Sequence, residues 1–269
     1  MPVFNADAPV LRAAVASVAA QTYADRELVL VDDGSTDPAT GAAPAAAGRA
    51  AGVTLCRTAN RGTAAARNLA VERARGDYIV PLDADDSLAP AFLAETVPVL
   101  DARPEVGVVY TWVGLVGRHR GVWRTGGFTV PELLAQNTLH VTALYRRRVW
   151  EDVGGYDPRF AESAEDWDFW LAAAARGWQG ACVPRVLAFY RRGPGGRELA
   201  SRVPGTSARL MRLLVEKHRP LYERHLEDVL AAMYERTQRA GRSLERVYAH
   251  PVVRLAARLR GLLARSGPA

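Results

Sequence analysis

Apolar positions run along this chain in two rhythms. Val10, Leu11, Ala14, Val15 and Val18 recur at helical spacing, with Pro9 suited to a first turn and Asp7 placed as a cap. Leu28 to Val31 is a short unbroken apolar run, the pattern of a strand buried on both faces, and it stops at the loop signature Asp32-Asp33-Gly34-Ser35. A proline- and glycine-interrupted alanine-rich stretch then predicts a weak helix. Val53–Thr58 reads as a second strand, and "NRGTAAARNLAVERARG" as a helix closed by Gly76. "DYIVPLDADDS" reads as a third strand ending in acids, "PAFLAETVPVLDARP" as a helix, and Val106–Gly117 as a longer strand. Strands alternating with helices predict an α/β fold around a mainly parallel sheet.

From about residue 118 the alternation stops. "RHRGVWRTGGFTVPELLAQN" reads as an excursion. Helices are expected around Arg146–Val153 and Ala164–Arg176, and short strands near Ala181–Val183 and Leu187–Tyr190. "RRGPGGRELASRVPG" resembles a hinge, and residues from about 206 to 265 read as almost wholly helical. The expected division is a domain over 1–195 and a C-terminal helical extension over 196–269.

Composition narrows the picture modestly. The 269 residues suffice for one large core, with or without an appendage. No apolar run reaches membrane-spanning length, and the start lacks a basic stretch followed by an apolar one. The expected location is therefore the cytoplasm. Cys56 and Cys182 lie far apart without metal-ligand spacing and read as free thiols. The net charge of +6 would suit phosphate-bearing partners. Of the 35 basic residues, however, Lys217 alone is lysine, so the charge reflects coding bias and carries little functional weight. Nucleic acid is not an expected partner.

Two acidic groups fall at predicted strand ends: Asp32 with Asp33, and Asp83 with Asp85 and Asp86. In a parallel sheet those ends share one edge, where ligands bind. One cluster alone would read as loop solvation, with Asp86 capping the helix that begins near Pro90. Two on one edge point to a hard divalent cation carrying a phosphorylated substrate. A third group, Glu162, Glu165, Asp166 and Asp168, lies at a helix start. The helix dipole alone explains acids there, and a general base is the functional alternative.

"PVFN", "SVAAQTYADRELVLVDDGSTD", "NRGTAAARNLAVERARGDYIVPLDADDSL", "VGGYDPRF", "AEDWDFWL" and "FYRR" occur in this order over roughly residues 2 to 192. Together they resemble the family 2 glycosyltransferases. The resemblance implies a GT-A fold, Rossmann-like, with a mainly parallel sheet flanked by helices. It implies inverting transfer from a nucleotide-diphosphate sugar, a UDP-sugar by preference, to a hydroxyl on a saccharide, lipid-linked or small-molecule acceptor. It also implies Mn²⁺ or Mg²⁺. By the same resemblance Pro2 and Phe4 are candidate base or ribose contacts, Asp33 the acid that meets the base, and Arg67 part of the nucleotide-contacting helix. Asp83 and Asp85 match the D-x-D element, with Asp85 on the metal and Asp83 nearer the ribose or a metal-bound water. Asp166 matches the catalytic base, with Glu165 beside it. Gly154 and Gly155 match a loop bordering sugar and acceptor, and Arg191 or Arg192 would close over the diphosphate.

Relatives carry an apolar strand before "PVFN", where this chain has only Met1. The expectation is that the natural protein starts upstream or that something else fills the gap. A catalytically impaired nucleotide-binding member is the alternative that this feature favours. Sugar nucleotidyltransferases usually begin with a glycine-rich loop and a lysine, and neither stands in the first part of this chain.

Trp167 and Trp170, three residues apart, read as core, and Trp123 as a wall of an acceptor groove or core. His140 reads as a satisfied core or loop histidine, and Arg146, Arg147 and Arg148 as a solvated face, with contact to a phosphate-bearing acceptor as the second reading. The stretch from His250 is amphipathic and basic. It suits packing or homodimerisation, or peripheral contact with the inner face of a membrane.

Overall fold

The computed structural model describes residues 1–49, 52–118, 120–160, 163–192 and 206–249. Glu162, most of the hinge-like stretch and the amphipathic tail from His250 lie outside them. In chain order the elements are β1 (Pro2–Val3), α1 (Ala8–Ala19), β2 (Leu28–Asp32), α2 (Pro38–Ala47), β3 (Val53–Arg57), α3 (Thr63–Arg73) and β4 (Tyr78–Ile79). Then follow β5 (Ser87–Leu88), α4 (Phe92–Ala102), β6 (Val106–Gly117), β7 (Gly121–Trp123), α5 (Val130–Ala135), β8 (Leu144–Arg146) and α6 (Arg147–Val153). The last are α7 (Glu165–Ala175), β9 (Gln179–Arg192), α8 (Thr206–Lys217), α9 (Arg219–Arg224) and α10 (Leu226–Ala249).

The strands form two sheets. β1, β2 and β3 are parallel, as the alternation predicts. The second sheet runs β4-β8-β6-β9-β5, with β7 added on β6. In it only β6 and β9 are parallel; the other pairs are antiparallel. β9 replaces the two short strands expected there. Its register on β6 shifts between Val183 and Val186, around Pro184, which lacks an N–H for the ladder. The apolar run of β2 is buried at every position, as a strand covered on both faces requires.

β1 is only two residues long, and the main-chain nitrogen of Met1 bonds Val29 O at 2.8 Å. Beside Met1 the two sheets part around a cavity of about 590 Å³, lined by Val29 of β2, Tyr78 and Ile79 of β4, Leu144, Tyr145 and Tyr156 among others. This space is lined by residues of β2 and β4. Next to it Tyr145, Tyr156, Phe169 and Trp170 form a buried aromatic group, with Tyr156 and Phe169 stacked at 4.5 Å. Full burial of each such side chain contributes roughly 2–3 kcal/mol. Trp170 belongs to this core, as its spacing predicts.

Arg146 and Arg147 do not form a solvated face. Arg146 donates to Leu100 O and Val106 O, and Arg147 to Val71 O, Ala74 O and Gly76 O. Leu100 O, Val71 O and Ala74 O are carbonyls left open at the C-terminal ends of α4 and α3, where the dipole also favours cations; Val106 O belongs to β6 and Gly76 O to the loop after α3.

The chain divides into two compact units, Met1–Glu223 and Arg224–Ala269. α8 and all of α9 but Arg224 fall within the first unit. In the second unit, Leu226, Leu230, Met233 and Tyr234 make an exposed apolar stripe along α10. Among the described residues no helix is long and apolar enough to cross a membrane.

Candidate active site

The first wall of the site is built from loops that follow β1 and β2. Asn5, at φ 45°, accepts the N–H groups of Thr36 and Asp37 on its side-chain oxygen, and its own N–H donates to Ser35 Oγ. The left-handed conformation that asparagine tolerates thus locks "PVFN" to "DDGSTD". Phe4 is 47% exposed beside this junction and Pro2 is half-buried. Asp33, the acid expected to meet the base, follows β2 directly. It is buried, and its two oxygens accept the N–H groups of Arg61 and Gly62, each at 2.8 Å. It shapes the loop that leads into α3. Gly34 lets that loop approach, since a Cβ there would lie 2.7 Å from Asn60 N.

The second wall is the acidic turn after β4. Asp83, Asp85 and Asp86 bring ligand atoms within 4.8 Å of one another. Their burial is graded: Asp86 is buried, Asp83 half-buried and Asp85 exposed. Asp86 does not cap α4. Its Oδ1 accepts the N–H of Arg191 at 3.0 Å and its Oδ2 lies 3.5 Å from His140 Nε2. His140 accepts the Thr142 N–H at Nδ1 and stands between Trp123 and Tyr190, a satisfied histidine. The carboxylate oxygens of this turn fit a hard divalent cation, with Asp85 the most accessible of the three.

The third wall is the first turn of α7. Asp166 retains partial exposure and accepts Asn137 Nδ2 at 3.1 Å and its neighbour's N–H, from Trp167, at 2.8 Å. Burial and the adjacent Glu165 charge push its carboxyl up to about 6, against the pull of Arg67 and the two hydrogen bonds. A carboxyl poised there is deprotonated at neutral pH yet basic enough to take a proton.

Arg67 ties the second and third walls together. Its guanidinium binds Glu165 Oε1 through one terminal nitrogen and Asp83 Oδ1, at 2.6 Å, through the other. The side chain is only 3% exposed, and its guanidinium lies 5.7 Å from the centre of the Tyr156 ring. The two carboxylates hold the guanidinium more firmly protonated than usual against the cost of burial. Arg67, expected as part of the nucleotide-contacting helix, stands in α3 as a buried bridge between Asp83 and Glu165. Glu165, expected near donor or acceptor, is buried with it.

Gly154 and Gly155 border this region for a conformational reason. Both have φ of 81°, and Gly154 closes α6 in the left-handed form. A Cβ on Gly155 would lie 2.8 Å from Asn68 Oδ1. Asn68 clamps the loop, donating to Tyr156 O and accepting from Tyr156 N and Trp150 Nε1. Arg191 is exposed, its backbone anchored on Asp86. Asn68, Asn137 and Tyr156 carry the site's geometry without a sequence signal strong enough to single them out, although Asn68 follows Arg67 and Tyr156 follows Gly155, both marked by the motifs.

Residues 1–154 match the family described as glycosyl transferase family 2, and residues 78–240 match glycosyl transferase family group 2. The chain belongs to glycosyltransferase family 2. This family 2 glycosyltransferase is 32% identical over 227 residues to the uncharacterized protein y4gI of Sinorhizobium fredii, covering 81% of this chain and 25% of that one. It is 36% identical over 173 residues to a PGL/p-HBAD biosynthesis glycosyltransferase of Mycobacterium bovis, covering 63% of this chain and 66% of the relative. Among solved structures, S. aureus TarS 1-349 in complex with UDP-GlcNAc superposes with a TM-score of 0.70 at 21% identity, over 87% of this chain and 70% of that one. The mannosyltransferase PcManGT of Pyrobaculum calidifontis, in complex with GDP-Man and Mn²⁺, gives 0.63 at 21% identity, over 99% and 79%. These likenesses bear out the GT-A fold expected from the motifs.

Proposed function

We propose that this family 2 glycosyltransferase moves a sugar from a nucleotide-diphosphate sugar to an acceptor hydroxyl, with inversion at the anomeric carbon. The observation that supports it most is the Arg67 bridge, which sets the D-x-D acid Asp83 and the base-bearing turn of α7 on one rigid support.

In this reading the exposed Phe4 ring and Pro2 receive the nucleotide base, and Asp33 keeps their neighbouring loop in shape. A UDP-sugar is the first donor to test. Asp85, with Asp83 and Asp86 beside it, would hold Mn²⁺ or Mg²⁺, whose charge neutralises the leaving diphosphate. Arg191 closes over the phosphates. Asp166 takes the proton of the acceptor hydroxyl as the acceptor oxygen bonds the anomeric carbon and the bond to the diphosphate oxygen breaks. One displacement on the opposite face inverts the centre, and the proton remains on Asp166. The acceptor is a hydroxyl on a saccharide, a lipid-linked intermediate or a small molecule.

Thermal shift against UDP-, GDP- and dTDP-sugars, with and without Mn²⁺, tests the reading, because a bound donor raises Tm by mass action. A stabilising donor whose effect needs Mn²⁺ and vanishes in Asp85→Ala is expected. Asp166→Asn should keep donor binding and lose transfer. Binding indifferent to metal, or transfer retained in Asp166→Asn, overturns it.

A further inference from the structure

The chain's single lysine lies far in sequence from the motifs, yet contacts the helix that carries Asp166. Lys217, the last residue of α8, places Nζ 2.7 Å from Asp168 Oδ2 and 2.9 Å from Asp157 Oδ2, with the Phe160 ring 5.6 Å away. The next residue, His218, places Nε2 2.8 Å from Asp168 Oδ1. Both Asp168 oxygens are thus held, and its side chain is 1% exposed. α8 and α9 themselves are seated by buried Leu210 and Leu214 and by Tyr222, whose hydroxyl donates to Leu134 O of α5.

The first turn of α7 needs such support from outside. Its cap, Ala164, is a non-glycine residue at φ 69° and offers no side chain to the open N–H groups. A conformation of this kind costs about 1–2 kcal/mol and persists only where the surroundings over-determine it. Three acids, Glu165, Asp166 and Asp168, then follow within four residues. Two of the three are fixed by cations from other elements: Glu165 by Arg67 of α3, and Asp168 by Lys217. A compact ammonium suits this place, since it meets two carboxylates as a point charge.

We infer that Lys217 and His218 are positioning residues, which hold the base-bearing turn of α7 in its working place through Asp168. The inference rests on the reading of Asp166 as the base. It makes α8 part of the catalytic apparatus rather than an appendage.

Steady-state kinetics and amide hydrogen exchange on the full chain test it together. Lys217→Met should lower kcat about tenfold while donor KM and nucleotide Kd stay within about twofold, since the donor walls are untouched. Lys217→Arg, which restores a cation, should recover most of the loss. The double variant Asp168→Asn/Lys217→Met should lose no more than the worse single one, because both cut one link. The amides of residues 165–168 should exchange about tenfold faster in Lys217→Met. His218→Gln keeps a donor near Asp168 Oδ1 and is the milder variant if Lys217→Met does not fold, with a loss of about threefold. Unchanged kcat in a folded variant, a lowered Tm as the sole effect, or unchanged exchange at these amides overturns the inference. Faster exchange in Lys217→Met, found together with a parent that transfers no sugar, would sink the enzymatic reading while leaving the link from α8 to α7 standing.

Discussion

Asn137 points its side-chain nitrogen at Asp166, 3.1 Å from Oδ2. The bond stabilises the charged form and so opposes the burial and the Glu165 charge that raise this carboxyl to about 6. The base works deprotonated, so kcat/KM should fall as pH drops through about 6 and be level above it. Asn137→Ala removes one stabilising bond, so its acid limb should move to higher pH. Glu165→Gln removes a like charge and frees the Arg67 field, so its limb should move lower. pH–rate profiles of the three proteins check both signs; shifts in the same direction would refute the assignment.

Arg67, itself only 3% exposed, binds both Asp83 and Glu165, so its loss removes the buried cation that the two carboxylates share. Arg67→Met should cost about 3–5 kcal/mol in urea unfolding. Arg67→Lys should not restore the parent, because an ammonium lacks the fork that reaches Asp83 and Glu165 at once. Donor KM should rise in both variants as Asp83 loses its anchor.

The two neighbouring glycines separate conformation from contact. At φ of 81° either residue as alanine carries the left-handed penalty of about 1–2 kcal/mol. Gly154 has open space around its missing Cβ, whereas Gly155 faces Asn68 Oδ1 at 2.8 Å. Gly155→Ala should therefore be more destabilising than Gly154→Ala by about 1–3 kcal/mol, since the Asn68 clamp must break and leave buried groups unmet. Equal Tm losses would show that the clamp does not hold the loop.

The strand-end acids were legible because a buried apolar run that stops at "DDGS" or "DADD" is a local signal, and the ordered motifs gave the family. The antiparallel half of the second sheet was not, since the residues after 118 keep neither rhythm and Pro184 hides one strand as two. The bridge that Arg67 makes was not legible, because its spacing says nothing of Asp83 and Glu165, one of them 98 residues away. The partners of Arg146 and Arg147 were hidden for the same reason: they are backbone carbonyl oxygens of distant residues, which no side-chain pattern marks. Lys217 and His218 lie in a stretch where amphipathicity predicts a buried face but not what it covers.

The cavity beside Met1 offers a test of how the two sheets are meant to join. Its walls include Val29, Tyr78, Ile79, Leu82 and Leu144, and the main-chain nitrogen of Met1 already bonds Val29 O, so an added strand would continue an existing ladder. Consider an extension of about five alternating Val and Ile residues ahead of Met1. Each buried side chain contributes about 1.5–3 kcal/mol, against about 1–2 kcal/mol for ordering each residue's backbone. The net gain of a few kcal/mol should raise Tm by roughly 4–10 °C in a protein of this size. A Gly-Ser extension of equal length orders the same backbone with nothing to bury and should leave Tm unchanged or lower. Equal melting temperatures for the two extensions would mean that the space is not shaped for a strand.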